Sequence, residues 1–273
     1  MGEILRSRTL ALGLLITLVV VIGIVIGPMV TPFPAEEMDF VNVLTPPDAT
    51  HWLGTDSYGR DVLSRILSGG RISFLVSFAG VLGGAAIGTA IGMTAAWRGG
   101  RWETLMMAGC DLLFAFPSFV LALFMMVVLG FGTQNVILAI GLTYLPIFAR
   151  LARNLTRTLM PEPYVQAARL MGQGPARILL REILPNILSP LMVQVSVGVA
   201  FGIVIEAGLS FLGLGVPITE PSLGLLISNG YEYMLSGKYW ISFYPGIALL
   251  VTIVSINLVG DHLRDVLNPR LQK

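Results

Sequence analysis

Five stretches of this chain, residues 9–35, 72–97, 112–149, 183–205 and 239–260, contain no Asp, Glu, Lys or Arg. Runs of that length exclude most soluble folds. About 20 apolar residues in helical form cross the hydrocarbon core of a bilayer. Each run reaches that length, and the third is long enough for two spans. Its middle, from Gly130 to Asn135 (GFGTQN), is a turn signal that divides it. The chain is 55% hydrophobic and 12% charged, and its mean hydropathy is +0.80. A soluble domain carries roughly 25% charge. The expected fold class is an all-α membrane protein with six transmembrane helices near 9–30, 72–97, 104–130, 134–153, 187–212 and 241–262. A barrel would instead show ten-residue segments of alternating polarity. The first run follows Arg6 and Arg8 but is too long for the core of a secretory signal, and no clear cleavage site follows it. It reads as a retained span. The single Cys110 excludes a disulfide within the chain.

Charge asymmetry orients these spans. With both termini on the cytoplasmic side, 13 of the 17 Lys and Arg residues face inward. Only Arg60, Arg65, Arg71 and Lys238 fall outside. An excess of this size sets topology. The net charge of +1 gives no sign of a nucleic-acid partner.

Two segments between the spans carry information. The outer one, 31–71, opens with a Pro-rich acidic part that reads as an extended loop. Then follows HWLGTDSYGRDVLSRILSGGRIS, residues 51–73. Asp56 or Ser57 is the expected cap of an amphipathic helix. Tyr58, Val62, Leu63, Ile66 and Leu67 form its apolar stripe, Asp61 pairs with Arg65 on the polar side, and Gly69-Gly70 ends it. Lying flat on the membrane surface, it reads as an elbow before the second span. The inner segment, 164–186, is YVQAARLMGQGPARILLREILPN. Its glycines divide two short helical patterns. Pro163 and Pro175 suit first helical turns. Val165, Ala168 and the Leu170–Met171 pair are expected to offer an apolar surface, with Ala167 and Ala168 small enough for close backbone approach. Such a surface in the cytosol marks an interaction site.

The spacing Ala-Ala-x-x-x-Gly, followed by Ile-Leu-Pro, resembles the "EAA" loop of permease subunits of ATP-driven importers. Residues 51–73, EAGLSFLGLG at 206–215 and NLVGDHLRDVLNPR at 257–270 are similar to the dipeptide, oligopeptide and nickel permease family, in particular its shorter "C" permease. Together these motifs cover the chain from about residue 45 onward.

The resemblance implies a type I ABC importer permease fold in a bacterial inner membrane. It also implies a second, non-identical permease, two ATPase subunits that carry ATP and Mg, and an extracytoplasmic solute-binding protein; no cofactor is expected on this chain. Residues 1–71 are expected as a first span with loop and interfacial helix, and 72–273 as the permease core with coupling loop 154–186. In that loop the resemblance assigns ATPase coupling to Tyr164, Gln166, Ala167, Ala168, Gly172, Pro175, Arg177 and Pro185. Gln166 departs from the family's Glu, which removes a charge at the joint. Short peptides are the implied solute, with nickel or metal chelates, glutathione, opines and oligosaccharides as alternatives.

No catalytic constellation is present. The chain lacks the Gly-x-x-x-x-Gly-Lys-[Ser/Thr] phosphate loop, and His51 and His262 are its only histidines. Asp261, His262 and Asp265 read as a solvated helix end rather than a metal site. Asp111 and Glu206 lie within spans, where carboxylates face protein or water. Each is a candidate pathway residue, with helix packing or a contact to the second permease as the plainer reading. Pro117, Pro146, Pro185 and Pro190 are expected kinks. Gly80, Gly83, Gly84, Gly88 and Gly92 include a four-residue spacing that suits close helix packing. An ion-coupled carrier would show inverted repeats, and a membrane-embedded enzyme would show facing acids; neither pattern is seen.

Overall fold

A computed structural model describes residues 31–267 together with Ile22, Gly23, Ile26, Gly27 and Met29. Most of the expected first span, with Arg6, Arg8, Arg270 and Lys273, falls outside the described residues. So do the side chains of Asp261, Arg264 and Asp265.

The described chain is helical. α1 spans Val62–Arg98, α2 Gly100–Phe114, α3 Ser118–Leu129 and α4 Thr133–Leu159. Two short helices follow, α5 at Pro163–Leu170 and α6 at Pro175–Ile178. A π-helical turn, Leu179–Ile183, leads into α7 at Leu184–Phe211. α8 covers Leu223–Tyr231 and α9 Trp240–Leu267. Among the described residues, four continuous stretches are long and apolar enough to cross a membrane: Val62–Arg98, Thr133–Leu159, Pro175–Phe211 and Trp240–Gly260. The α2–α3 pair makes a fifth if it forms one span.

That pair corrects the expectation of one helix over 104–130. α2 and α3 meet at a 91° bend. Pro117 stands at the break with extended backbone (φ −55°, ψ 135°). Proline has no N–H for a helical bond and biases the preceding residue away from helix. Pro146 and Pro190, by contrast, stay within helices, as does Pro245.

The expected surface helix is corrected too. α1 starts at Val62 and runs unbroken through Gly69 and Gly70. Its cap is Asp61, which accepts from the Ser64 backbone N–H at 2.8 Å, rather than Asp56 or Ser57. Asp61 does not pair with Arg65: it takes Nδ1 of His51 at 3.0 Å. Asp56 receives Nε of Arg60 at 2.8 Å and faces Nε of Arg65 at 3.5 Å. Arg65 is only 2% exposed. Residues 51–61 therefore fold into a cap, because buried charges need partners and the turn supplies them; the Pro-rich part before it is tied on by the Leu44 N–H to the Asp56 carbonyl and the Thr55 N–H to the Thr45 carbonyl. Trp240 fixes this cap to α9 by donating Nε1–H to the Thr55 carbonyl at 3.2 Å.

α1 and α4 form the most extensive helix pair. Glycine makes it possible. A Cβ on Gly84 would stand 2.5 Å from the Gly141 carbonyl oxygen, on Gly88 2.3 Å from that of Leu145, and on Gly92 2.1 Å from that of Ala149. Gly80 meets the Ile137 carbonyl and Ile140 in the same way. Gly83, one residue off this seam, has nothing within 4 Å. Around the seam lies a core that includes Val81, Ile140, Phe148, Ala152, Ile183 and Ile203.

One substitution therefore has opposite outcomes at two glycines. Gly92→Ala forces two backbones apart and is expected to cost about 1–3 kcal/mol, as overpacking does. Gly83→Ala is expected to be neutral or stabilising by up to about 1 kcal/mol. Thermal unfolding of the two variants in detergent checks this; equal melting temperatures would show that the seam does not set the packing.

Candidate functional site

The chain leaves α4 and re-enters the bundle through a compact hairpin of α5, α6 and the π-turn. Pro163 and Pro175 each occupy a first helical turn, where a missing N–H costs nothing. α5 stops at Gly172, which has φ +74°. There the Gln173 N–H reaches back to the Ala168 carbonyl at 3.2 Å and the Gly172 N–H to that of Arg169 at 3.0 Å. A positive φ is cheap only for glycine. The π-turn has a local cause. Pro185 has no N–H to offer one turn back, and the ladder slips so that the Leu184 N–H bonds the Leu179 carbonyl. π-bulges of this kind often accompany functional sites.

The hairpin has two faces. Val165, Ala168, Ile178, Leu179 and Ile183 are buried and belong to the main core. The guanidinium of Arg169 lies 4.2 Å over the ring of Trp97, at the end of α1. Gln166 donates its amide to the Met160 carbonyl at 2.8 Å and so ties α5 to the end of α4. A carboxylate at this position has no hydrogen to donate. The opposite face is open: Leu170 is 90% exposed, Met171 71% and Leu180 61%. Tyr164, Ala167, Gly172, Pro175, Arg177 and Arg181 are exposed beside them. Burial, then the Glu162 and Glu182 carboxylates, push the Tyr164 hydroxyl above its usual range, so it stays neutral at physiological pH.

The sequence reading put Val165 and Ala168 on one surface with Leu170 and Met171. The structure separates them, because the first two face the core and the last two face out. Among the expected coupling residues, Tyr164, Gln166, Ala167, Gly172, Pro175 and Arg177 are all exposed on the hairpin. Ala168 lies on its buried face. Pro185 is exposed at the start of α7, directly after the π-turn.

The two membrane carboxylates lie apart. Glu206 is fully buried in α7. Its Oε1 accepts from the Ser210 hydroxyl at 2.7 Å. Ser73 of α1 and Ser222, the cap of α8, also face the carboxyl group, while Oε2 makes no hydrogen bond. Glu206 thus sits where α1, α7 and α8 meet, inside this chain rather than on an open face. Asp111 is exposed on α2 and pairs with Arg150 of α4, whose guanidinium lies 4.3 Å over Phe114. Further along α4, Arg153 and Arg157 both hold Glu103 of α2, at 2.6 and 2.5 Å. The sequence reading counted these arginines only toward topology. Their spacing at 150, 153 and 157 marks a single helical stripe.

Three comparisons bear on this architecture. Residues 88–273 match the family described as binding-protein-dependent transport system inner membrane component. A putative peptide transport system permease protein of Brucella suis biovar 1 is 39% identical over 270 residues, 99% of this chain and 90% of the relative. The dipeptide transport system permease protein DppC of Alkalihalophilus pseudofirmus is 34% identical, covering 99% and 88%. The glutathione transport system permease protein GsiD of an Escherichia coli O6 strain is 37% identical, covering 98% and 88%. The fold is similar to that in the inward-facing MetNI methionine ABC transporter, with a TM-score of 0.61 at 20% identity over 74% of this chain and 96% of the other. The chain belongs to the family of binding-protein-dependent transport system inner membrane components.

Proposed function

We propose that this chain is one of two non-identical permease subunits of an importer for short peptides, and that hairpin 160–183 is its joint to one of two ATPase subunits. The observation that carries the reading is the division of that hairpin into a buried seat and an exposed apolar tip. Exposed Leu170, Met171 and Leu180 need a cover, and a soluble ATPase supplies one. The seat is continuous with α4 on one side and α7 on the other. A push on the tip therefore moves two membrane helices as a body, without a local hinge. Peptide as solute follows the relatives, one named for peptide and one for dipeptide transport. Glutathione, itself a peptide, is the second reading, carried by the relative named for it.

The mechanism is alternating access. Two ATPases close on ATP and draw the permease hairpins together. The paired permeases then open outward to a docked binding protein. Hydrolysis resets them and releases solute inward. Reversing a 1:99 preference takes about 5.5 kcal/mol of differential binding. ATP held at two closing sites is a sufficient source.

Three outcomes test this reading. Leu170→Asp with Met171→Asp changes side chains that already face solvent. The chain is expected to insert normally, while ATPase co-purification and peptide uptake fall at least tenfold. Gly172→Pro forces φ from +74° to about −65°. Uptake should be lost with the chain still inserted, and normal uptake in that variant would sink the proposed role of the hairpin. With both termini inside, an alkaline phosphatase fusion after residue 45 should be active and one after residue 172 inactive; the reverse pattern would overturn the orientation.

A further inference from the structure

We propose that the groove between α2 and α4 is a subsite for a zwitterionic solute, with Arg150 facing its carboxylate and Asp111 its ammonium group. The assignment rests on the peptide-permease reading and names the chemistry of the path. Two adjoining cavities form the groove. One, of about 380 Å³, is lined by Asp111, Arg150, Arg153 and Asn154 with Met107. The other, of about 360 Å³, is lined by Glu103, Thr104, Arg153 and Arg157 with Met107 and Gly100. They share Met107 and Arg153.

Depth and exposure decide what this groove faces. Asp111 lies about 16 Å along α2 from Gly100, at 1.5 Å per residue. The side chains of Asp111 and Arg150 are 57% and 47% exposed. Asp111 stands in the last turn of α2, beside the 91° bend, and an open ion pair there does not face lipid tails; charges within spans turn to protein or water. The groove is also not a fully neutralised lock. Glu103, in the wall of the second cavity, is 7% exposed and takes two arginines, which clamps α2 to α4 at that end of the groove. At the other end, Asp111 meets Arg150 through one carboxylate oxygen, and its second accepts no bond among the described residues. Arg150 gives one N–H to that bond and keeps others free. Phe114 fixes the guanidinium from the side of the α2–α3 bend. The bonded pair therefore presents the remaining N–H donors of Arg150 beside the second oxygen of Asp111, an arrangement complementary to a molecule that carries both a carboxylate and an ammonium. Peptides and glutathione share that chemistry.

The test uses the whole importer in proteoliposomes: this chain, the second permease, the ATPases and the binding protein. Met107→Cys places a thiol between the two cavities, and Cys110 is 3% exposed and adds little background. A charged, membrane-impermeant thiol reagent on the hairpin side is expected to label Cys at 107 in the nucleotide-free state. Saturating dialanine should slow labelling at least threefold. No labelling would show the groove covered by the second permease or by lipid and would overturn the proposal. So would labelling indifferent to dialanine in a complex that imports dialanine.

If the wild-type complex imports glutathione but no dialanine, the dipeptide reading fails, while protection by glutathione upholds the subsite. An imported solute without opposite charges overturns the subsite. In transport assays at saturating binding protein, Arg150→Gln and Asp111→Asn are each expected to reduce solute flux about tenfold with the complex intact. The swapped pair, Arg150→Asp with Asp111→Arg, restores the ion pair in reverse order and should remain slow. Full recovery in the swap would make the pair a lock between helices and overturn the proposal.

Discussion

Backbone contact between α1 and α4 is the interaction on which the rest of the structure depends. In lipid no hydrophobic force drives helices together, so association relies on dispersion and close approach. Four glycines on α1 let the carbonyls of Ile137, Gly141, Leu145 and Ala149 come within the space a methyl group would fill. Everything with a functional reading is hung on that pair. α1 carries the outer cap at Asp61 and Ser64, and Trp97 at its other end. α4 carries the arginine stripe and leads directly into the hairpin. A change in the seam's register would move the hairpin and the groove together.

The hairpin is held by the same rigidity. Arg169 on Trp97 ties it to α1, Gln166 on Met160 ties it to α4, and Ile178 and Ile183 bury it in the core. Three attachments to different elements leave little freedom within the hairpin, and packed interiors transmit displacement rather than absorb it. The π-turn before Pro185 runs directly into α7. At the far end of α7, Glu206 gathers Ser73 of α1 and Ser222 of α8 around one carboxyl group. The same helix thus links the open tip on one side to a buried polar node on the other.

The bend at Pro117 separates two roles within one apolar run. α2 stands against α4 through Glu103 and Asp111 and forms the wall of the polar groove. α3 turns through 91° and exposes Phe124, Val127 and Val128. An apolar face of that kind suits lipid or a second membrane subunit, whereas the groove beside it is lined by charge.

The sequence alone determined the class and the backbone of the hairpin. Uncharged runs required membrane helices, the glycines from Gly80 to Gly92 included the spacing of a seam, and Pro163, Gly172 and Pro175 marked the hairpin by backbone chemistry. These features are local, so each can be read without knowing its neighbours. What needed the tertiary structure was every pairing across the chain. Asp61 and Arg65 are four residues apart and looked like partners, yet Asp61 goes to His51 and Arg65 to Asp56. Val165 and Leu170 are equally apolar, and only the packing of α5 on the core decides that one is buried and the other exposed. Asp111 found Arg150 across 39 positions of sequence, a choice that periodicity cannot encode because the contact is made by two helices brought together elsewhere. Local chemistry fixes which elements form; the close approach of distant backbones decides which charges meet.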